Sequence, residues 1–208
     1  MKEKVFLDLR DKIMKLEYKP GTLLNETNLA NEYNVSRTII REVLRGLKDY
    51  GFVEIIPRGG TYVSEINLKE FRDIFEIKSE LEGLAAELVL ERINEEQKQE
   101  FTELIQKIQN TFTTEIKHGD LIEFDEKFHQ IMREACGNKE VARILESYHI
   151  RCTRLWYYVS TDITDEIFVE DYLNFFELGI KQQNIEGAKN IMKKHTDKFV
   201  ELIKSKIL

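Results

Sequence analysis

Arginines recur every four residues along one predicted helix, at Arg37, Arg41 and Arg45. Residues four apart lie on the same face of an α-helix, and Ser36 and Thr38 stand beside the first arginine. A guanidinium group grips phosphate or forks onto guanine O6 and N7, and hydroxyl groups bond phosphates or base edges. The row therefore predicts contact with duplex DNA. An isolated row of this kind is also typical of a solvated helix face. The surrounding secondary-structure elements must therefore distinguish between DNA contact and a solvated face.

A second set of residues has the spacing of a metal site. Asp125 and His129 are four residues apart, so both project from one helix face and can bind one ion together. The alternative is a simple hydrogen-bonded or surface pair. Three cations, Lys78, Arg151 and Arg154, are predicted to reach the same interior and to bind an anionic effector there, and their alternative is a surface position.

The composition is typical of an ordinary soluble protein. The 208 residues are 42% hydrophobic and 33% charged, with a formal net charge of -7, which excludes a disordered chain. No apolar run approaches the roughly 20 residues of a membrane span, and the charged start MKEKVFLDLRDKI is unlike a secretory signal. The two cysteines, Cys136 and Cys152, are too few for a disulfide framework and predict free thiols in the cytoplasm.

Proline and charge divide the chain into two predicted domains. Both prolines, Pro20 and Pro57, lie early in the chain, and the long proline-free remainder with few glycines predicts an all-helical domain. Residues 1–66 hold 11 Lys and Arg against 10 Asp and Glu, whereas residues 67–208 hold 20 against 28. We therefore place the boundary between Ile66 and Asn67, and expect the near-neutral first domain to carry a basic face.

The first predicted domain has the layout of a winged helix-turn-helix. Apolar spacing, capping residues and β-branched runs predict helix 3–17, a helix capped by Asn25, helix Arg37–Asp49 capped by Ser36, and strands 52–56 and 61–64. In this layout the third helix enters the major groove. The tip of the hairpin, formed by Arg58, Gly59 and Gly60, comes close to the adjacent minor groove or phosphates. The layout favours a DNA-reading role for the arginine row.

The second predicted domain, from Asn67 onward, is an antiparallel helical bundle, so the predicted fold class is mainly α. Asn67 opens a first helix with a capping box that ends at Glu70. Further amphipathic segments cover 95–117, 120–136, 139–160, 165–183 and 185–206, and their short connections favour antiparallel packing. The aromatic stretch Tyr172–Phe176 is expected in the core and the dimer interface, with part of it lining a pocket as the alternative.

The residues of the first domain also resemble a known family. The segment PGTLLNETNLANEYNVSRTIIREVLRGLKDYGFVEIIPRGGTYV resembles the DNA-binding domain of GntR-type bacterial transcription regulators, most specifically in VSRT-x-x-RE and in the wing ending RGG-x-x-V. The resemblance implies operator contacts by Ser36, Arg37, Thr38, Arg41 and a wing glycine. This chain has Thr27 where many members have arginine, which departs from the usual contact.

The second domain resembles the helical FCD domain of the FadR subfamily, which binds effectors and forms dimers. The supporting segments are ELEGLAAELV, FDEKFHQIMREACGN and IKQQNIEGAKNIMKKH. The resemblance implies a divalent metal, such as Zn, Ni or Mn, held by Asp125, His129 and two further histidines from the last two helices. His195 matches the last of these, but Leu173 stands where the other is expected. Either water or an effector carboxylate completes a three-ligand site, or the metal has been lost.

The resemblance also bears on other polar residues of the second domain. Members commonly carry arginine near position 78, and Lys78 weakens bidentate carboxylate recognition there. His118 and His149 match no family position, so we expect them at the surface or in simple hydrogen bonds.

Together these features predict a DNA-binding transcriptional regulator, expected to be a repressor. A homodimer would place two winged helices on a palindromic operator, and a small carboxylate effector in the bundle would shift their placement. The alternative is a metal-dependent enzyme with an accessory DNA-binding head, in which the metal activates water. The sequence has no catalytic-triad, P-loop or dinucleotide signature, which favours the regulator.

Overall fold

A computed structural model describes residues 1–112, 118–159 and 167–207. Its mainly α architecture, with an N-terminal winged helix-turn-helix and a C-terminal helical domain, confirms the predicted fold class. The predicted helix residues 113–117, 160 and 165–166 and the side chain of His118 lie outside the described part of the chain.

The chain divides into two compact units. Unit 1 is Met1–Leu68 with Ile150–Tyr158, and unit 2 is Lys69–His149 with Val159–Leu208. The first division falls close to the expected boundary after Ile66. Nothing in the sequence pattern predicts the second segment of unit 1, because it lies within one long amphipathic helix.

Unit 1 is built from three helices and a two-stranded hairpin. Its elements are α1 Lys2–Met14, α2 Glu26–Glu32, α3 Arg37–Asp49, β1 Val53–Ile56 and β2 Gly60–Val63. The strands pair antiparallel, with Val53 opposite Val63 and Ile56 opposite Gly60. Helix α1 ends before Glu17, its predicted end, because Leu16 has a positive φ of 62°, a conformation that stops a helix.

Side-chain caps start the two helices of the turn. The side-chain oxygen of Asn25 accepts hydrogen bonds from the backbone N–H groups of Thr27 and Asn28 at 2.9 and 3.0 Å. The hydroxyl of Ser36 accepts one from the N–H of Ile39 at 3.3 Å. These bonds satisfy N–H groups that the first turn of a helix leaves without helical partners, so the polar residues before α2 and α3 fix where each helix begins.

The core of unit 1 lies between its helices and one face of the hairpin. Leu9, Ile13, Ile40 and Leu47 are fully buried, and Ile150 from the second segment belongs to the same cluster. Burying one such aliphatic side chain contributes roughly 1.5–3 kcal/mol. Because the apolar face of α3 is used in this core, its opposite face is left at the surface, and the arginine row lies there.

Unit 2 is helical in the ranges that the structure describes. Its helices are α4 Leu68–Arg92, α5 Glu95–Phe112, α6 His118–Ala135, α7 Lys139–Val159, α8 Ile167–Asn174 and α9 Ile185–Ile207, with a π-helix, Phe175–Lys181, between α8 and α9. Helix α7 contributes residues 139–149 to unit 2 and residues 150–158 to unit 1. None of the described helices has both the length and the apolar character that a membrane crossing requires.

The π-helix departs from the predicted continuous helix 165–183. A π-turn holds one more residue than an α-turn, so side chains on either side of Phe175–Lys181 do not keep the spacing of one regular helix. Tyr172 stacks on Phe128 with ring centroids 4.4 Å apart, and Phe175 packs edge-on against the same ring. Tyr172, Phe175 and Phe176 are buried, as expected for core residues, and Phe176 also lines a cavity, which is the alternative expected for part of this stretch.

Candidate DNA-binding surface and candidate metal centre

The predicted DNA-contacting residues of unit 1 are exposed. They lie on α3, at its N-cap and at the tip of the hairpin: Ser36, Arg37, Thr38, Arg41, Arg45, Arg58, Gly59 and Gly60. The side chains of Arg37 and Arg41 are 57% and 55% exposed. The row is therefore accessible from solvent.

Arg37 and Arg41 both form an ion pair with one carboxylate, that of Glu26. The spacing of the arginine row does not predict this carboxylate. Glu26, the first residue of α2, accepts from Arg37 Nη2 at 3.0 Å and from Arg41 Nε at 2.8 and 3.0 Å. Partial burial raises the pKa of Glu26, but the two guanidinium groups outweigh this and hold the pKa below its usual range. The charged carboxylate therefore fixes the two guanidinium groups side by side. The available sequence signal is a glutamate at the start of the helix before the row.

The tip of the hairpin depends on its two glycines. A Cβ atom on Gly59 would lie 2.7 Å from Cγ2 of Ile56, and one on Gly60 would lie 2.9 Å from Cδ1 of Leu23. Gly60 also has a φ of 114°, which other residues rarely adopt. Arg58 is exposed and precedes these glycines with a φ of 62°, so a tight turn presents a cation at the end of the hairpin.

Asp125, His129 and His195 come together in the interior of unit 2. The Nε2 atoms of the two histidines are 3.4 Å apart, and they lie 3.5 and 3.7 Å from Oδ1 of Asp125. All three side chains are buried. Two donor atoms bound to one zinc ion at about 2.0–2.1 Å with a tetrahedral angle lie roughly 3.4 Å apart. The three atoms therefore fit a single divalent ion with small shifts.

Carboxylates behind both histidines orient the imidazole rings. Nδ1 of His129 lies 3.2 Å from Glu82 Oε1, and Nδ1 of His195 lies 3.3 Å from Asp171 Oδ2. When Nδ1–H donates to the carboxylate, the lone pair of Nε2 faces the other ligands. This carboxylate–histidine arrangement is the usual support of metal-bound imidazoles, and it adds a second observation that fits a metal.

The charged side chains around His129 and His195 carry more negative than positive charge. These side chains and the two histidines are called the buried cluster below. Three buried carboxylates, Glu82, Asp125 and Asp171, face two ammonium groups, Lys78 and Lys198. With neutral imidazoles these five charges sum to -1. A divalent ion would make the cluster positive, and a proton would make it neutral.

The pKa shifts of His129 and Asp125 arise from the opposite charges that surround these buried groups. Burial lowers the pKa of His129, but the charges of Glu82 and Asp125 outweigh this and raise it above its usual value. Burial raises the pKa of Asp125, and the neighbouring His129 reverses this and holds the pKa well below its usual range. The cluster therefore stabilises positive charge between the carboxylates and the imidazoles.

Tyr172, not Leu173, is the residue of α8 that contacts Asp125. The Tyr172 hydroxyl donates to Oδ1 of Asp125 at 2.5 Å, and burial together with the Asp125 charge raises the pKa of Tyr172 well above its usual value. Leu173 lines a different cavity, of about 570 Å³, with Ile105 and Phe176. The position at which the resemblance implies a histidine, Leu173, is therefore not the one that contacts Asp125.

The structure brings Lys78 to the cluster but not Arg151 or Arg154. Lys78 Nζ is 2.7 Å from Glu82 Oε1. Arg154 belongs to unit 1, where its Nη2 donates to the carbonyl of Ser64 at 2.6 Å and burial lowers its pKa to about 10. Arg151 also belongs to unit 1 and lies beside Gly51. The shared interior expected for the three cations is thus corrected: the segment of α7 from Ile150 onward packs in unit 1.

Two positions are expected for His149, the surface or a simple hydrogen bond. The structure shows that it is not at the surface. It is 3% exposed, and its Nε2 lies 2.8 Å from Glu126 Oε2 and 3.6 Å from Asp125 Oδ2. The hydrogen-bonded alternative is therefore the one that the structure shows. No spacing rule reveals this proximity, because His149 is on α7 and the carboxylates are on α6.

Both parts of the chain match known protein families. Residues 1–63 match the bacterial regulatory proteins of the gntR family, and residues 73–198 match the FCD domain. A winged helix-turn-helix with an exposed arginine row, joined to a helical domain of this kind, defines a transcriptional regulator. The chain belongs to the GntR family of transcriptional regulators, among the members that carry an FCD domain.

Relatives cover most of the chain. The HTH-type transcriptional regulator YdhC of Bacillus subtilis is 28% identical over 94% of this chain and 88% of its own length. The Nta operon transcriptional regulator of Aminobacter aminovorans is 25% identical over 91% of this chain and 90% of its own. The solved structure of Escherichia coli McbR/YncC covers 98% of this chain and 97% of its own, with a TM-score of 0.81 at 21% identity, and this likeness supports the fold.

Proposed function

We propose that this GntR-type regulator belongs to the FadR subfamily, binds a palindromic operator as a homodimer and represses transcription, and that a small carboxylate effector in its helical domain modulates this binding. The observation that carries the proposal is the exposed pair Arg37 and Arg41 on the third helix of a winged helix-turn-helix, held by Glu26. Guanidinium groups at this place match phosphates and guanine edges in a major groove.

Dimerisation supplies contacts that one winged helix lacks. A single small DNA-binding unit makes few base contacts, and a two-fold symmetric dimer matches two half-sites of a palindrome. Repression is supported by the transcriptional repressor RspR of Escherichia coli, which is 23% identical over 97% of this chain. The relatives are named as regulators, which favours regulation over the alternative of a metal-dependent enzyme. A role at an operator also implies that the protein acts in the cytoplasm.

Replacing the arginine pair tests DNA recognition. The full-length protein selects its operator from a random DNA pool, and fluorescence anisotropy then measures the affinity. Arg37→Ala with Arg41→Ala should weaken binding roughly a hundredfold or more, since each specific arginine contact is worth about 1–3 kcal/mol. The control pair Arg72→Ala with Arg143→Ala removes equal charge from exposed arginines of unit 2 and should leave the affinity nearly unchanged. Equal losses in both pairs would contradict the proposal.

The buried cluster is the proposed place of a metal that assists effector binding. Asp125, His129 and His195 offer one carboxylate oxygen and two imidazole nitrogens, and this donor set suits Zn, Ni or Mn. When bound, such an ion supplies positive charge and open coordination positions for an effector carboxylate. With neutral imidazoles the surrounding charges sum to -1, which supports a cation at this place.

Elemental analysis and a ligand screen test the metal and the effector together. We expect purified protein to hold a divalent metal, and carboxylates to raise the melting temperature by binding the folded state. Treatment with a chelator should remove this increase. A carboxylate-induced increase that persists without metal would contradict metal-assisted binding and would leave the regulator assignment intact.

Helix α7 supports linkage between effector and operator binding. His149 lies beside Asp125 in unit 2, and the next residue along the helix, Ile150, packs in the core of unit 1. Any factor by which the effector changes operator affinity must also be the factor by which the operator changes effector affinity. Measuring the effector Kd with and without operator DNA checks this equality.

A further inference from the structure

His149 faces the side of Asp125 that the other two histidines leave open. Oδ1 of Asp125 is the oxygen nearest to His129 and His195, whereas Oδ2 lies 3.6 Å from Nε2 of His149. The ring centroids of His129 and His149 are 4.7 Å apart, and ligand atoms of Asp125, His129 and His149 all lie within 4.8 Å of one another. A third imidazole is therefore close to two of the first three ligands, Asp125 and His129.

We propose that His149 is a fourth protein ligand of the cation site, contributed by α7 in place of a ligand from α8. The proposal rests on the metal in the proposed function and adds to it a residue that the family pattern does not mark. Helix α8 offers no histidine here: the Tyr172 hydroxyl donates to Asp125, and the side chain of Leu173 has no atom that could bind a metal.

Glu126 explains how His149 is held before an ion binds. The Nε2–H of His149 donates to Glu126 Oε2 at 2.8 Å, and Arg133 Nη2 lies 3.3 Å from the other oxygen of Glu126. The Glu126 side chain is 48% exposed, so water and Arg133 can satisfy it once His149 turns away. For ion binding the imidazole changes from the Nε2–H to the Nδ1–H tautomer, with one proton lost at Nε2 and one gained at Nδ1. The lone pair of Nε2 is then free to bind the metal.

Three imidazole nitrogens and one carboxylate oxygen make the site selective. This set suits borderline ions such as Zn²⁺, Ni²⁺ and Co²⁺, whereas Mg²⁺ and Ca²⁺ prefer sites built from oxygen. Four protein ligands would fill a tetrahedral ion, whereas an ion with five or six positions would keep open positions for an effector carboxylate. An effector carboxylate would therefore bind most readily to an ion that accepts more than four ligands.

Metal titration of the full chain tests the role of His149. Competition with a chromophoric chelator measures Zn²⁺ affinity, and X-ray absorption at the zinc edge counts bound imidazoles. We expect three imidazoles in the unmodified protein, two in His149→Gln, and an affinity lower by roughly tenfold or more in the variant. Glu126→Gln is the matched control: it removes the negative charge of the hydrogen-bond partner of His149 but no ligand, so it should keep three imidazoles and full affinity.

A cysteine variant gives a new absorption signal, so this test does not depend on a loss of metal affinity. In His149→Cys, bound Co²⁺ should show a thiolate-to-cobalt charge-transfer absorption that the unmodified protein, with its Cys136 and Cys152, lacks. Two imidazoles in the unmodified protein and no such absorption in the variant would overturn the role of His149 while leaving the metal in place. Equal loss of affinity in His149→Gln and Glu126→Gln would also overturn it. Absence of any bound metal in the unmodified protein would refute both the metal and this ligand, with operator binding as the separate readout of the regulator assignment.

Discussion

The arginine row and the buried cluster hold their charges in opposite environments: the row is exposed to water and the cluster is removed from it. On α3, Arg37 and Arg41 are more than half exposed and share Glu26, so water screens them and they stay available to a polyanion. Around His129 and Asp125 the charges are removed from water, and each must be compensated by a neighbour. Changes in the row should therefore alter binding with little effect on stability, and changes in the cluster should alter stability first.

The largest effect should come from breaking the buried ion pair of the cluster. Lys78→Met leaves the Glu82 carboxylate, which is 1% exposed, without the ammonium group at 2.7 Å. Removing one partner of a buried pair typically costs about 3–5 kcal/mol of unfolding free energy. Urea denaturation of metal-free protein, followed by far-UV circular dichroism, measures this loss.

The double variant Lys78→Met with Glu82→Leu is the control for this prediction. It removes both charges, and replacing a buried pair by apolar groups is often neutral. We expect it to recover most of the lost stability. If it is no more stable than the single variant, the loss does not come from an uncompensated Glu82 charge.

Both regions show what local spacing predicts well. The period of α3 sends its apolar residues to the core and Arg37 and Arg41 to the surface, and a spacing of four brings Asp125 and His129 to one face. These relations depend only on the geometry of one helix. They are therefore readable in the sequence without knowledge of how helices pack.

What the sequence does not predict are the neighbours that other elements contribute. Glu26 reaches the arginine row from α2, and Asp171 reaches His195 from α8. Tyr172 and not Leu173 contacts Asp125 from α8, and α7 is divided between two units, which assigns Arg154 to unit 1. Each of these facts depends on packing between segments, for which a single sequence has no period to read.

The next effect sharpens the role of Glu26 in the row. Glu26→Gln removes the charge that fixes Arg37 and Arg41, so the arginines should bind phosphates more freely and bases less selectively. We expect non-specific affinity to rise and the ratio of specific to non-specific affinity to fall by roughly tenfold, the lower part of the range for one good base contact. Anisotropy with operator and scrambled DNA measures both affinities.

Glu32→Gln is the matched control for Glu26→Gln. Glu32 is on the same helix and pairs with Lys12 at 2.9 Å, away from the predicted DNA-contacting residues. It changes the net charge equally and should leave the specificity ratio unchanged. If both variants lower the ratio alike, Glu26 acts through net charge and does not position the arginines.

A smaller effect separates the two roles of Ser36. Its hydroxyl caps α3 by accepting from the N–H of Ile39, and it is also a predicted DNA contact. Ser36→Ala should cost about 1 kcal/mol of stability, the usual value of an N-cap, and should weaken operator binding. Ser36→Asp should restore the cap but weaken operator binding further, because its charge repels phosphate. Asn25→Ala removes the cap of α2 and should lower stability without changing operator binding. A rise of operator affinity in Ser36→Asp would exclude contact between Ser36 and the phosphate backbone of DNA.

The smallest effect is an acid dependence of stability that the row should show through Glu26. Its pKa lies below the ordinary 4.5 because Arg37 and Arg41 outweigh the effect of burial. A carboxyl whose pKa is depressed by folding stabilises the folded state above its unfolded pKa, and this contribution is lost as the pH falls through the folded pKa. The stability difference between the unmodified protein and Glu26→Gln should therefore be constant near neutral pH, at most about 1 kcal/mol for partly exposed ion pairs, and should shrink below 4.5. Urea denaturation at a series of pH values measures it. In the Arg37→Ala, Arg41→Ala background this dependence should vanish or reverse its sign, because only the effect of burial, which raises the pKa of Glu26, is left. A dependence of the original sign that survives there would show that the charge of Glu26 is stabilised by something other than the arginine row.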